Sequence, residues 1–170
     1  MEKSNLNDSM VALLIEEEAW KDLSMDFPWT EEQLEKFRGK LDWEQVSSNP
    51  HIKWTVSMLE KFRRNIDWTE LSNYADEDVL LPEIVEMFEN EWDWKVLSGN
   101  SDLPFEVIVK YADRLDWGKL LRFGSDSLFT PEFLEMFQDY ISADEFKDSG
   151  LWVALVEKKE QELKKQILLA

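Results

Sequence analysis

Apolar residues in this chain recur in a fixed register. Four Asp-Trp pairs mark it, Asp42-Trp43, Asp67-Trp68, Asp93-Trp94 and Asp116-Trp117, with tryptophan-to-tryptophan steps of 25, 26 and 23 residues. Six residues before each tryptophan stands a ring, Phe37, Phe62, Phe88 or Tyr111, and three before that ring stands Leu34, Leu59, Val85 or Ile108. Eight before the ring comes Trp29, Trp54, Leu80 or Leu103. A weaker copy precedes these at Trp20-Lys21-Asp22-Leu23-Ser24. A degraded one follows, with Phe129, Leu134 and Phe137 in register and Ala143 in the tryptophan place. Self-similarity at so short a period is the signature of a repeat architecture.

Each copy predicts two helices. Leu34, Phe37 and Leu41 stand at i, i+3 and i+7, one face of a first helix. Thr30 is its N-cap, with Gln33 at capping-box spacing. Thr130-Pro131 and Pro82 mark the corresponding starts of two later copies, proline being suited to the first helical position. The second helix is short and begins at the Asp-Trp pair. Asp42 with Gln45 and Asp67 with Glu70 have capping spacing, and the Ser-x-Asn segments and Asn49-Pro50 stop it. The connecting loops show no two-residue alternation of a strand.

The expected fold is all-α: short two-helix repeats of about 25 residues stacked into a solenoid-like array with terminal capping helices, since one such unit cannot bury its large rings alone. The expected organisation is one continuous domain, with an N-terminal cap unit at 1–26, five helical repeats at 27–150 and a C-terminal capping helix at 151–170. In that last helix Trp152, Leu155, Val156, Leu163 and Ile167 lie on roughly one face and are expected to cover the last repeat.

The string Asp-Trp-x-x-Leu-Ser-x-Asn, followed by Trp-Thr or by an apolar residue and proline, resembles tandem repeats of uncharacterised bacterial and phage proteins. The resemblance covers residues from about 20 to 147 and implies an α-helical repeat, with no substrate or chemistry attached. Leu121 and Lys147 depart from it where serine is expected, and Ser142-Ala143 departs from the Asp-Trp pair.

Composition narrows the chemistry. The chain has no cysteine, one histidine (His51) and five glycines, none of them in a phosphate-cradling motif. Disulfides, thiol nucleophiles, Cys-ligated zinc and His-rich metal sites are excluded, so the expectation is a non-enzyme with no cofactor. No apolar run reaches the ~20 residues of a membrane span. Met1-Glu2-Lys3-Ser4-Asn5 lacks the charged-then-apolar plan of a signal peptide, and the expected location is the cytoplasm. The Asp-Trp tryptophans read as core and the repeated aspartates as helix caps. Trp29 and Trp54, at helix starts, are expected to be partly exposed.

Charge carries the functional expectation. Acidic residues number 37 against 19 basic, for a net −18. That disfavours direct contact with nucleic acid or an anionic membrane. The acids come in blocks: residues 80–103 hold six against one base. Asp76, Glu77, Asp78, Glu83, Glu86, Glu89 and Glu91 are the candidate ridge, Glu83, Glu86 and Glu89 being spaced three apart. Solubility needs a net charge of only about 2–8 in a small domain. The excess points to an acidic interaction module steered to a basic protein, such as a nuclease or a CRISPR effector, which it would inhibit in the manner of phage anti-defence proteins. A monomer is expected. The other reading is a structural or adaptor scaffold that binds through apolar edges, namely Trp29, Trp54 and the last helix.

Overall fold

The computed structural model describes residues 7–169. The first residues of the expected N-terminal cap, the signal-peptide reading and Ala170 therefore lie outside the described part. Among the described residues there is no strand. Twelve α-helices follow in order: α1 Asp8–Asp26, α2 Glu31–Phe37, α3 Trp43–Ser48, α4 Val56–Lys61, α5 Trp68–Tyr74, α6 Pro82–Met87, α7 Trp94–Leu97, α8 Phe105–Lys110, α9 Trp117–Phe123, α10 Pro131–Phe137, α11 Ala143–Lys147 and α12 Gly150–Leu169. Short 3-10 turns lie at Asp126–Leu128 and Gln138–Tyr140.

The starts follow the predicted chemistry. Thr30 and Gln33 form a complete capping box, and Ser142 with Glu145 forms a second one in the degraded copy. Asp42 Oδ1 accepts from the N–H groups of Glu44 and Gln45, and Asp67 Oδ1 from those of Thr69 and Glu70. Asp93 and Asp116 cap Val96 and Lys119 in the same way. Pro82 and Pro131 open α6 and α10.

The first helix of each copy is shorter than its apolar face suggests. α2 ends at Phe37, and Leu41 is buried from the turn beyond it. That turn recurs: the N–H three residues past the ring donates to the ring's own carbonyl, Lys40 to Phe37, Asn65 to Phe62, Glu91 to Phe88 and Arg114 to Tyr111. The indole of the following Asp-Trp pair then secures it. Nε1 of Trp43, Trp68, Trp94 and Trp117 donates to the carbonyl five residues back, at Arg38, Arg63, Glu89 and Ala112, over 3.0, 2.9, 2.9 and 2.9 Å. A phenylalanine could fill the same space but could not satisfy that carbonyl, which explains why the column holds tryptophan.

The chain divides into two compact units, Met1–Tyr74 and Ala75–Ala170. In the first, α1 packs on α3 and α3 on α5. Its core holds Leu34, Val46, Leu59, Phe62 and Leu71. Trp20 leans on Phe37, the ring that opens the next copy's turn, at 5.5 Å, and Trp43 leans on Phe62 at 5.3 Å between centroids. In the second unit α6 packs on α8, and α9, α11 and α12 pack together. Val85, Phe88, Leu97, Ile108 and Leu120 are buried there, and the same lean recurs in Trp94 on Tyr111 at 4.5 Å and Trp117 on Phe137 at 5.0 Å.

Two expectations about the edges are corrected. Trp29 is 6% exposed, because it precedes the Thr30 N-cap, where an apolar residue turns inward over the first turn. Its indole donates to the Leu23 carbonyl at 2.9 Å, and its ring packs on Phe27 and Phe37. The face predicted for the last helix is largely uncovered. Leu151 is fully buried and Leu155 half-buried, whereas Trp152, Val156, Leu163 and Ile167 are exposed. Among the described residues of α12, only those in its first turns are buried or half-buried.

Candidate functional site

In three copies a serine links that copy to the next. Ser47 Oγ donates to the Trp43 carbonyl at 2.6 Å and accepts the N–H of Asp67 at 2.9 Å. Ser24 does the same between the Trp20 carbonyl and the Asp42 N–H, and Ser98 between the Trp94 carbonyl and the Asp116 N–H. An N-cap residue's own N–H lies outside the helix ladder and has no partner there. The serine supplies one, and all three serines are buried. Asparagines add a second tie. Asn49 Nδ2 donates to the Ser24 and Phe27 carbonyls, and Asn100 Nδ2 to the Ala75 carbonyl, each at 2.9 Å. Their Oδ1 atoms cap the next turn by accepting from the His51 and Asp102 N–H groups.

The motif is thereby consumed internally. Aspartate caps, tryptophan closes a turn, and serine and asparagine join neighbours. Among the described residues no group of three or more His, Cys, Asp or Glu is placed to hold a metal. His51 is exposed in the loop after α3.

The remaining carboxylates form the surface. Glu77, Asp78 and Glu83 are exposed, and Asp76, also exposed, caps its own turn by accepting from the Val79 N–H. Glu86 is exposed but faces Lys110, Oε1 to Nζ 2.7 Å, a hydrogen bond that raises the lysine's pKa. Glu89 and Glu91 are half-buried. Since α6 ends at Met87, Glu89 lies past the helix and does not continue the row of Glu83 and Glu86. It instead accepts from the Tyr111 hydroxyl at 3.3 Å, burial being the main cause that pushes the phenol's pKa up. The exposed part of the predicted ridge is therefore Asp76, Glu77, Asp78, Glu83 and Glu86, all in the second unit. Trp29 and Trp54 belong to the first unit, and Trp54 is half-buried with its Nε1 buried and unpartnered.

Lysines bridge copies outside the aromatic layer. Lys40 reaches Glu16 and Lys61 reaches Glu31, each at 3.3 Å. Lys40 also lies over the Trp20 ring, and Arg114 over Trp94, shielding the outer faces of half-buried indoles. The Trp20 indole and Lys40 together hold the Glu16 carboxyl below its ordinary pKa.

Sequence reasoning missed an open cleft of about 990 Å³ on the first unit, lined by Leu13, Leu14, Glu17, Trp20, Lys40 and Leu41 among others. The signal was present in the apolar run Val11 to Ile15, which the repeat register does not use. Comparison with known proteins returns no matching family model, no matching curated protein and no matching solved structure. Among the described residues no helix is long and apolar enough to cross a membrane.

Proposed function

We propose that this chain is a non-enzymatic acidic interaction module that docks on the basic surface of another protein. The observation that carries the reading is the division of labour among polar residues. The repeated ones are spent on holding copies together, while a block of carboxylates, Asp76, Glu77, Asp78, Glu83 and Glu86, faces solvent on the second unit of a chain with net charge −18. A field of that size raises encounter rates with a basic partner and falls off with salt. Basic surfaces of this kind serve proteins that grip nucleic acid. On this reading the module occupies such a surface in place of the nucleic acid and inhibits the partner, a nuclease or CRISPR-type effector being the expected kind.

The test is affinity capture from host lysate at low salt with the full chain as bait, in parallel with a variant carrying Asp76→Asn, Glu77→Gln, Asp78→Asn, Glu83→Gln and Glu86→Gln. The reading expects a basic protein that elutes on a salt wash and is lost with the variant. Capture that resists salt, or that the variant keeps in full, contradicts it.

A further inference from the structure

The last junction of the second unit lacks the bonds that join three earlier ones. There a serine hydroxyl holds the N–H of the next copy's N-cap, but Leu121 stands in the serine place before the final copy. The N-cap that follows, Ser142, satisfies its N–H inside its own helix instead, by donating to Glu145 Oε2 at 3.1 Å. Ala143 stands in the tryptophan place, so no indole reaches back to the Gln138 carbonyl as Trp117 reaches that of Ala112.

The segment so released is fixed only at its ends. All of residues 138–148 are exposed except half-buried Ile141 and Phe146. Among the described residues α11 is the one α-helix with no buried side chain. Before the segment Phe137 is buried, and after it Ser149 and Leu151 are buried. Ser149 Oγ accepts the Trp152 N–H at 3.1 Å, and Gly150 runs so close to Phe129 that a Cβ there would meet the ring at 2.8 Å. A helix of five residues does not hold by itself. α11 keeps its form through these anchors and its own capping box. Tyr140 lies over Trp117 at 5.3 Å between centroids, yet is itself exposed. Between α9 and α11 an open cleft of about 440 Å³ remains, with Leu121 and Phe123 on one wall and Asp144 and Asp148 on the other.

We propose that residues 138–148 form a strap that opens and recloses by itself while α9, α10 and α12 stay folded. It is the point of opening built into the array: when it lifts, the cleft widens, and Leu121 and the face of Trp117 under Tyr140 come within reach of solvent. The proposal does not rest on the acidic-module reading.

Native-state hydrogen exchange of the full chain, followed by NMR in steps of urea below the unfolding transition, tests it. The N–H groups of Phe146 and Asp148 are bonded to the Ser142 and Asp144 carbonyls inside α11. Corrected for intrinsic rates, they should exchange about a hundredfold faster than those of Leu120 in α9, Leu134 in α10 and Val153 in α12, the two missing hydrogen bonds counting for about tenfold each. Their exchange should not respond to urea, because a local opening exposes little surface. Ser142→Ala removes the strap's cap and should speed exchange at Phe146 about fivefold, leaving Leu120 and Val153 as they were. Equal protection throughout, a shared dependence on urea, or a Ser142→Ala variant that speeds Leu120 and Val153 as much as Phe146 overturns the proposal.

Discussion

Ser98 Oγ stands 2.8 Å from the backbone nitrogen of Asp116, whose N–H it accepts, and 2.6 Å from the carbonyl oxygen of Trp94, to which it donates. This one hydroxyl closes the second helix of its copy and receives the N-cap of the next. Ser98→Ala leaves the Asp116 N–H without its partner in a part-buried setting, and should cost about 1–3 kcal/mol. The midpoint of urea unfolding, with slope unchanged, measures it. A loss below about 0.5 kcal/mol, typical of indifferent surface changes, would mean the contact is incidental.

Much of the architecture was legible because the columns hold large side chains with few alternatives. Phe62, Leu59 and Leu34 were placed on the apolar columns by spacing alone, and they are buried. Thr30 with Gln33 and Thr130 with Pro131 announced helix starts, because cap chemistry is local. The ties between copies were not legible. Ser47 and Asn49 read as helix terminators, which they are, but their second partners lie at Asp67 on one side and Ser24 on the other. A contact to a residue 20 or more positions away leaves no local trace. Trp29 was read as exposed from its place at a helix start, but the residue before an N-cap turns inward, and the Leu23 carbonyl takes up its indole N–H.

The indole column offers a second test. Trp94→Phe keeps a ring against Tyr111 but removes the donor to the Glu89 carbonyl. The loss should be about 1–3 kcal/mol, the range for one hydrogen bond removed with some packing. Trp29→Phe also removes a donor, here to Leu23, and should cost a similar amount. Thermal melts of both single variants against the parent check this. A neutral Trp94→Phe would show that the turn carbonyl does not need the indole.

A third prediction concerns acid. Burial, followed by the charges of Asp67 and Glu44, raises the pKa of Glu70 in the folded chain. The folded state therefore binds this proton more tightly than the unfolded state. Stability from this group falls as pH rises from about the ordinary carboxylate value through the raised one, and stays lowered at neutral pH. Glu70→Gln removes that loss, so it should raise the melting temperature slightly at pH 7 and bring no gain at pH 3. A melting temperature lowered at pH 7 would show that Glu70 is a favourable contact instead.

The outer lysines should matter less than the inner hydroxyls. Lys61→Met deletes the ion pair with Glu31, an exposed contact between copies. Such pairs contribute about 0–1 kcal/mol and weaken with salt, so its effect should stay below that of Ser98→Ala and shrink as salt is added. Paired denaturation curves at low and high salt decide the order.

The polar groups of the repeats are spent between copies, and amide hydrogen exchange at Asp42, Asp67 and Asp116 reads this most directly. An N-cap N–H lies outside the helix ladder and exchanges quickly unless something else binds it. The hydroxyls of Ser24, Ser47 and Ser98 hold these three, so all three should be protected, and Ser98→Ala should release Asp116 while leaving Asp42 slow. Rapid exchange at all three in the parent chain would contradict the account.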